Sequence, residues 1–246
     1  MPEDPDMTRQ PHISSAFDRD LEAIQALIMK MGGLVETVIL DCTSALETRD
    51  QDLAQQVIRT DTAIDALEQQ INEEAARLIA LRAPTAKDLR TALTVMKISG
   101  SLERMGDYAK NIAKRSTVLS QALPVGDTAG TARRMAQLVQ QMLSDALDAY
   151  IRHDTALAED VRNRDRDIDQ IYNALFRVLL THMLESPSVI TNAMHLHFIA
   201  KNLERMGDHA TGIAEQVIYL ATGQLPEEGR QKADKTAYVS SATDQG

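Results

Sequence analysis

One cysteine, no tryptophan and an aromatic content of 3% leave this 246-residue chain short of several common functional kits. A single cysteine excludes an intramolecular disulfide framework and a cysteine-cluster metal site. Cys42 falls on an apolar stripe and reads as a small core residue rather than a nucleophile. So few aromatics argue against a base-stacking nucleic-acid platform. The net charge of −10 argues against binding to a phosphate backbone. No apolar run approaches the length of a bilayer span. The stretch from Met1 to Pro11 is polar and holds no apolar core of the signal-peptide kind. The expected location is therefore cytoplasmic, with membrane contact only through partners. Strand-period alternation is lacking too, as are a Gly-rich phosphate loop and a dinucleotide fingerprint.

What the chain does have is a repeat. Leu102-Glu103-Arg104-Met105-Gly106-Asp107 recurs letter for letter as Leu203-Glu204-Arg205-Met206-Gly207-Asp208. The apolar positions around the two copies correspond as well: Leu89, Leu93, Val95 and Ile98 align with Ile190, Met194, Leu196 and Ile199. Further upstream, Asp61 and Asp65 align with Asp165 and Asp169. A repeat of about a hundred residues is too long for a solenoid unit and suits a duplicated domain.

Apolar residues make up 43% of the chain, enough for a core, and they recur at helical spacing throughout. Six helices are expected, over 14–47, 50–81, 86–119, 131–153, 155–184 and 189–221. The first carries a heptad seam from Phe17 through Ile24, Met31 and Val38 to Ala45, and Gly32-Gly33 suggests a bend in it. Arg82-Ala83-Pro84 and Ser186-Pro187-Ser188 read as helix stops, and Gly223 as a closing residue. The expected fold is all-α, with two tandem homologous three-helix antiparallel bundles built of six long helices. The first bundle covers 14–123 and the second 131–223, joined by a linker at 124–130. Residues 1–13 are expected to be a disordered N-terminus and 224–246 a flexible tail.

The acids carry the chemical signal. Glu103 and Asp107 stand at i and i+4, so both lie on one helix face, as do Glu204 and Asp208. They continue the stripe Leu89, Leu93, Met96, Gly100, which turns from apolar to acidic halfway, and such a conflict between pattern and residue type marks a functional site. In each half the preceding helix supplies a second acid pair, Asp61/Asp65 or Asp165/Asp169. Four carboxylates at one level repel unless a cation joins them, and hard divalent ions, iron and manganese all accept carboxylate oxygens. The eight acids are therefore candidate metal ligands, and a solvated acidic flank is the competing reading. A di-iron Glu-x-x-His motif is missing, since Gly106 and Gly207 fill the i+3 positions. His197 suits the core or rim, and His209 points away from the acids. Arg90, Lys97, Arg104, Lys201 and Arg205 are open to use as partners of the acids, as phosphate contacts or for solubility. Arg104 and Arg205 point to another side than the glutamates beside them.

On these residues the chain resembles the PhoU family, the phosphate-specific transport system accessory proteins. The family carries an E(D)xxxD motif, matched here by Asp61/Asp65, Glu103/Asp107, Asp165/Asp169 and Glu204/Asp208. Asp88-Leu89-Arg90 and the run from Leu102 to Ala113 look like its most characteristic stretch, and the resemblance covers about residues 14 to 222. The second half departs from it, with Val189-Ile190-Thr191 in place of Asp88-Leu89-Arg90. The resemblance implies a negative regulator of phosphate uptake and of the Pho regulon. Such a protein joins the ATPase of a Pst-type phosphate ABC transporter to a phosphate-sensing histidine kinase. It also implies a homodimer and bound metal ions, whether iron, zinc, manganese or magnesium. With no nucleophile constellation in the sequence, the chain is expected not to be an enzyme. A carboxylate-bridged metalloenzyme on the same helical frame is the alternative.

Overall fold

The computed structural model describes residues 10–122 and 124–226, and these form six long helices with no strand among them. They are α1 (Gln10–Thr48), α2 (Gln51–Arg82), α3 (Ala86–Leu119), α4 (Thr128–Arg152), α5 (Thr155–Glu185) and α6 (Ile190–Thr222). A single 3-10 turn, Pro187–Val189, precedes α6. The connections are short and chemically defined. Asp50 caps α2 by accepting from the Leu53 N–H at 2.9 Å, and Asp154 caps α5 by accepting from Ala156 and Leu157, both at 3.0 Å. At the far ends Ala83, His153 and Gly223 take left-handed backbone conformations that return a backbone N–H to the last turn.

The duplicated architecture is the expected one. α1, α2 and α3 form one antiparallel three-helix unit, and α4, α5 and α6 the other. α1 also lies against α4, and α3 against α6, so these four helices form the centre while α2 and α5 flank it. One continuous core results. Ile28, Met31 and Ile39 of α1, Met105 and Ile112 of α3, Met135 of α4 and Met206 and Ile213 of α6 are all fully buried in it. Methionine fills the irregular space between crossing helices that the missing aromatics would otherwise occupy. Tyr108 and His209, counterparts in the two repeats, meet ring to ring at 5.7 Å where α3 crosses α6. Equivalent positions of the two repeats thus meet each other at the junction of the halves.

Three sequence expectations change. α1 begins at Gln10, inside the segment 1–13 expected to be disordered. Residues 1–9 of that segment and 227–246 of the expected tail lie outside the described residues. α4 begins at Thr128, inside the expected linker, because Gly130 in its first turn mimics a loop while Asp127 precedes the helix. α1 runs as one helix through Gly32-Gly33. Leu147 of α4 reaches into the space that a Cβ on Gly32 would fill, so this glycine serves close helix packing. Finally, α1 over Phe17–Thr48 does have the length and mean hydropathy, 1.6, of a membrane-crossing helix. In the fold its seam of Ile24, Ile28, Met31, Val35 and Val38 is covered by its neighbours, while Met29 and Leu40 on the other side are 36% and 38% exposed.

Candidate acidic sites of the two repeats

The glycine of the repeated hexapeptide brings the acids together. A Cβ on Gly106 would stand 3.1 Å from Ile64 Cδ1, and one on Gly207 would stand 3.4 Å from Asp165 Oδ1. Without a side chain there, α2 settles closely onto α3 and α5 onto α6. Asp61 and Asp165 are thereby carried into the seams that hold the glutamates.

In the first seam a lysine ties together two of the four expected acids, Asp61 and Asp107, with Asp65 and Glu103 beside them. Lys110 Nζ donates to Asp61 Oδ2 and to Asp107 Oδ1, each at 2.6 Å. Asp61 is 7% exposed, and its other oxygen, Oδ1, is buried with no hydrogen-bond partner among the described residues. Loss of solvent together with the charge of Asp61, and more weakly of Asp107 and Glu68, pushes the Asp65 carboxyl up against the opposing pull of Lys110. Burial, Asp107 and Asp65 likewise push Glu103 up, while Arg104 works against them. Burial alone would lower Lys110. Its hydrogen bonds to Asp107 and Asp61, and their charges, outweigh that and hold the ammonium firmly protonated. Asp65 itself sits on the exposed rim.

The second seam is built from the same letters and buried more deeply. Asp165 and Asp169 are each 4% exposed and Glu204 is 5% exposed, while Asp208 is half-buried. Thr211, the counterpart of Lys110, donates to Asp165 Oδ1 at 3.4 Å. Lys201 Nζ donates to Glu204 Oε1 at 2.9 Å and lies 5.0 Å from the centre of the Tyr172 ring. His197, expected in core or rim, joins an aromatic wall with Tyr172, Phe176 and Phe198. The first half has Glu68 and Asn72 where the second has Tyr172 and Phe176, which is why its seam is the wetter one.

Several expectations about these residues are refined. The apolar beginning of the mixed stripe is largely at the surface, with Leu93 45% exposed and Met194 38% exposed, so the pattern argument holds for the buried Glu204 better than for Glu103. Arg104 does not turn away from the acids. Its long side chain folds back to 3.5 Å from Glu103 and 3.6 Å from Asp107. His209 is held against Tyr108 as expected of a residue outside the acid set, and burial lowers its pKa. Arg90 lies over the C-terminus of α6, where its guanidinium nitrogens fill the place of a Cβ on Gly223 and it stacks 5.4 Å from the Tyr219 ring centre. Thr191 stands at its counterpart, so this contact is not duplicated. The sequence reading passed over Lys110, although its i, i+3 spacing from Asp107 was visible.

Among the described residues no three His, Cys, Asp or Glu side chains are already gathered as a metal-ligand set. In the first seam the lysine ammonium stands between the carboxylates that would form one. The donors are nonetheless hard oxygens of the right kind for such an ion, and Asp61 Oδ1 is buried with no hydrogen-bond donor beside it among the described residues. Asp61, Asp65, Glu103 and Asp107 would hold an ion in the first seam, and Asp165, Asp169, Glu204 and Asp208 in the second.

Fold and seams together define a tandem-repeat helical protein in which each half carries one acidic seam. The family model for the PhoU domain matches the chain twice, over residues 28–116 and 132–217, once within each bundle. The chain belongs to the PhoU family. It is 47% identical over 222 residues to a phosphate-specific transport system accessory protein PhoU homolog of Zymomonas mobilis, covering 90% of this chain and 93% of that protein. The homolog of the same description from Caulobacter vibrioides is 45% identical over 223 residues, covering 91% and 97%. The crystal structure of PhoU from Pseudomonas aeruginosa superposes with a TM-score of 0.82 at 38% identity, covering 85% of this chain and all of that one. The phosphate transport system regulatory protein PhoU from Streptococcus pneumoniae superposes at 0.79 with 31% identity, covering 86% and 99%.

Proposed function

We propose that this protein is a cytoplasmic, non-enzymatic negative regulator of phosphate uptake and of the phosphate-starvation response. It acts as a homodimer that joins the ATPase of a phosphate ABC transporter to a phosphate-sensing histidine kinase. The observation that carries this reading is the double match to the PhoU domain, with relatives described as accessory proteins of the phosphate-specific transport system. The long helices packed on one core suit a rigid connector. A strain lacking the gene is expected to express phosphate-responsive reporters in high phosphate, and this chain supplied in trans to silence them. Normal silencing in the deletion strain would overturn the proposal.

The two seams are proposed to hold metal ions that carboxylate oxygens accept: iron, zinc, manganese or magnesium. The buried Asp61 oxygen that has no hydrogen-bond partner among the described residues, and the burial and neighbouring charge that raise Asp65 and Glu103, support this. Metal analysis of protein purified without chelator tests it, beside a variant combining Glu103→Gln, Asp107→Asn, Glu204→Gln and Asp208→Asn. Stoichiometric metal lost in the variant supports the sites, and it would make the alternative, a carboxylate-bridged metalloenzyme, worth an activity screen. No metal in either protein would return the acids to a solvated or partner-facing surface.

A further inference from the structure

The hexapeptide is repeated without change, yet the lysine that accompanies it is not. Lys110 follows Asp107 at i+3, whereas Lys201 precedes Glu204 at i−3. Thr211 stands at the counterpart of the first lysine and Gly100 at that of the second. Each seam therefore has one lysine ammonium on its acids, delivered from opposite ends of the motif.

We infer that Lys110 and Lys201 are resident cations that a metal ion must displace, and that they set the affinity of the two seams. This inference rests on the seams being metal sites. In the first seam Nζ lies 2.6 Å from both Asp61 Oδ2 and Asp107 Oδ1. An ion bound to those oxygens at about 2.0–2.6 Å would take the same volume, so ion and ammonium exclude one another. The ammonium also removes one positive charge's worth of attraction that the ion would otherwise receive. Lysine suits the part, being a compact charge on a flexible four-carbon stem. The Lys110 side chain is 22% exposed and the Lys201 side chain 29% exposed, so each has solvent to swing into. When Lys110 leaves, both oxygens of Asp61 become available, including the buried Oδ1 that has no partner among the described residues.

The motif itself supplies the test. Gly100→Lys would place a second lysine on the first seam in the geometry of Lys201, and a Cβ at Gly100 meets nothing within 4 Å, so the variant has room to fold. Lys110→Thr installs the residue of the other half, and Lys201→Met removes the second cation. Full-length protein stripped with chelator is titrated with manganese(II) in equilibrium dialysis, with Gly100→Ala as the control and circular dichroism confirming the helices. Lys110→Thr and Lys201→Met are each expected to tighten one class of site by about tenfold or more, and Gly100→Lys to weaken one by a similar factor. Should Lys110→Thr not fold, Lys201→Met and Gly100→Lys carry the test in opposite directions. Manganese binding that is unchanged across all folded variants would overturn the lysine inference while leaving the metal sites standing. No binding by the wild type or any variant would overturn the metal reading and this inference with it.

Discussion

Placing alanine at the two hexapeptide glycines separates close helix approach from helix propensity, because the same change in the same motif should have opposite effects. At Gly106 an added Cβ would lie 3.1 Å from Ile64 Cδ1 and 3.2 Å from its Cγ2, inside the roughly 3.5–4.0 Å of ordinary carbon contacts. Ile64 is 1% exposed, and its branch begins at Cβ, so no rotamer swings both methyls clear. Overpacking of this kind costs about 1–3 kcal/mol, while replacing a helical glycine by alanine returns about 1 kcal/mol. Gly106→Ala is therefore expected to destabilise by up to about 2 kcal/mol. At Gly207 the nearest atoms are Asp165 Oδ1 at 3.4 Å and Ile168 Cγ2 at 3.5 Å, close to ordinary contact. The propensity gain then stands alone, and Gly207→Ala is expected to stabilise by about 1 kcal/mol. Urea unfolding reads both, with midpoints moving in opposite directions at constant slope. Thermal midpoints should separate by several degrees, at about 2–4 °C per kcal/mol for a chain of this size. Equal shifts, or greater damage at Gly207, would refute the claim that the first glycine is held by contact with Ile64.

Three further outcomes are expected. Asp65 and Glu103 have raised carboxyl groups in the folded state, so the folded chain binds their protons more tightly than the unfolded chain. Their contribution to stability therefore increases as pH falls from neutral through those raised values, and levels off below the ordinary carboxylate range. In chelator-treated protein Glu103→Gln should raise the urea midpoint at neutral pH, with the advantage over wild type shrinking on acidification. An advantage that grows with acidification would contradict the sign. Asp154 accepts two backbone N–H groups and Asp50 one, so Asp154→Ala should cost about 1 kcal/mol or somewhat more in urea unfolding, and exceed Asp50→Ala. Burial pushes the Cys42 thiol far up, so alkylation by iodoacetamide should follow the unfolding curve, and rapid labelling of native protein would show the α1 seam to be open.

Much of this molecule could be read from its letters. The limits of α3 fall at Ala86 and Leu119 as expected, because Thr85 after a proline and a long unbroken stripe define them locally. The start of α4 was hidden because Gly130 counts locally as a loop residue, while the helix is held there by packing against α1 and α6. Gly106 and Gly207 looked like mere absences of the i+3 ligand, and their purpose depends on Ile64 and Asp165, which lie on another helix. The equal acid quartets concealed unequal burial. Asp65 and Asp169 are the same letter in the same motif, and neighbours such as Glu68 and Asn72 against Tyr172 and Phe176 distinguish a wet seam from a dry one. Lys110 shows a different limit. Its spacing from Asp107 was legible, but its hold on Asp61 required the register of α2 against α3.

The crossing of α3 and α6 at Tyr108 and His209 has an evolutionary reading. Faces of α1 and α3 that one repeat would leave bare are covered by α4 and α6 of the other, so a single repeat has the geometry of half of a symmetric pair. The gene would then descend from one that encoded a self-associating subunit, and joining two copies end to end made the association permanent. Once both copies lay on one polypeptide, each could drift without its twin. Tyrosine now faces histidine at the junction of the halves, and Arg90 packs on a helix end where its twin position holds Thr191. A self-associating ancestor must show the same face on both sides, whereas its fused descendant is free to offer a different face to each of two partners.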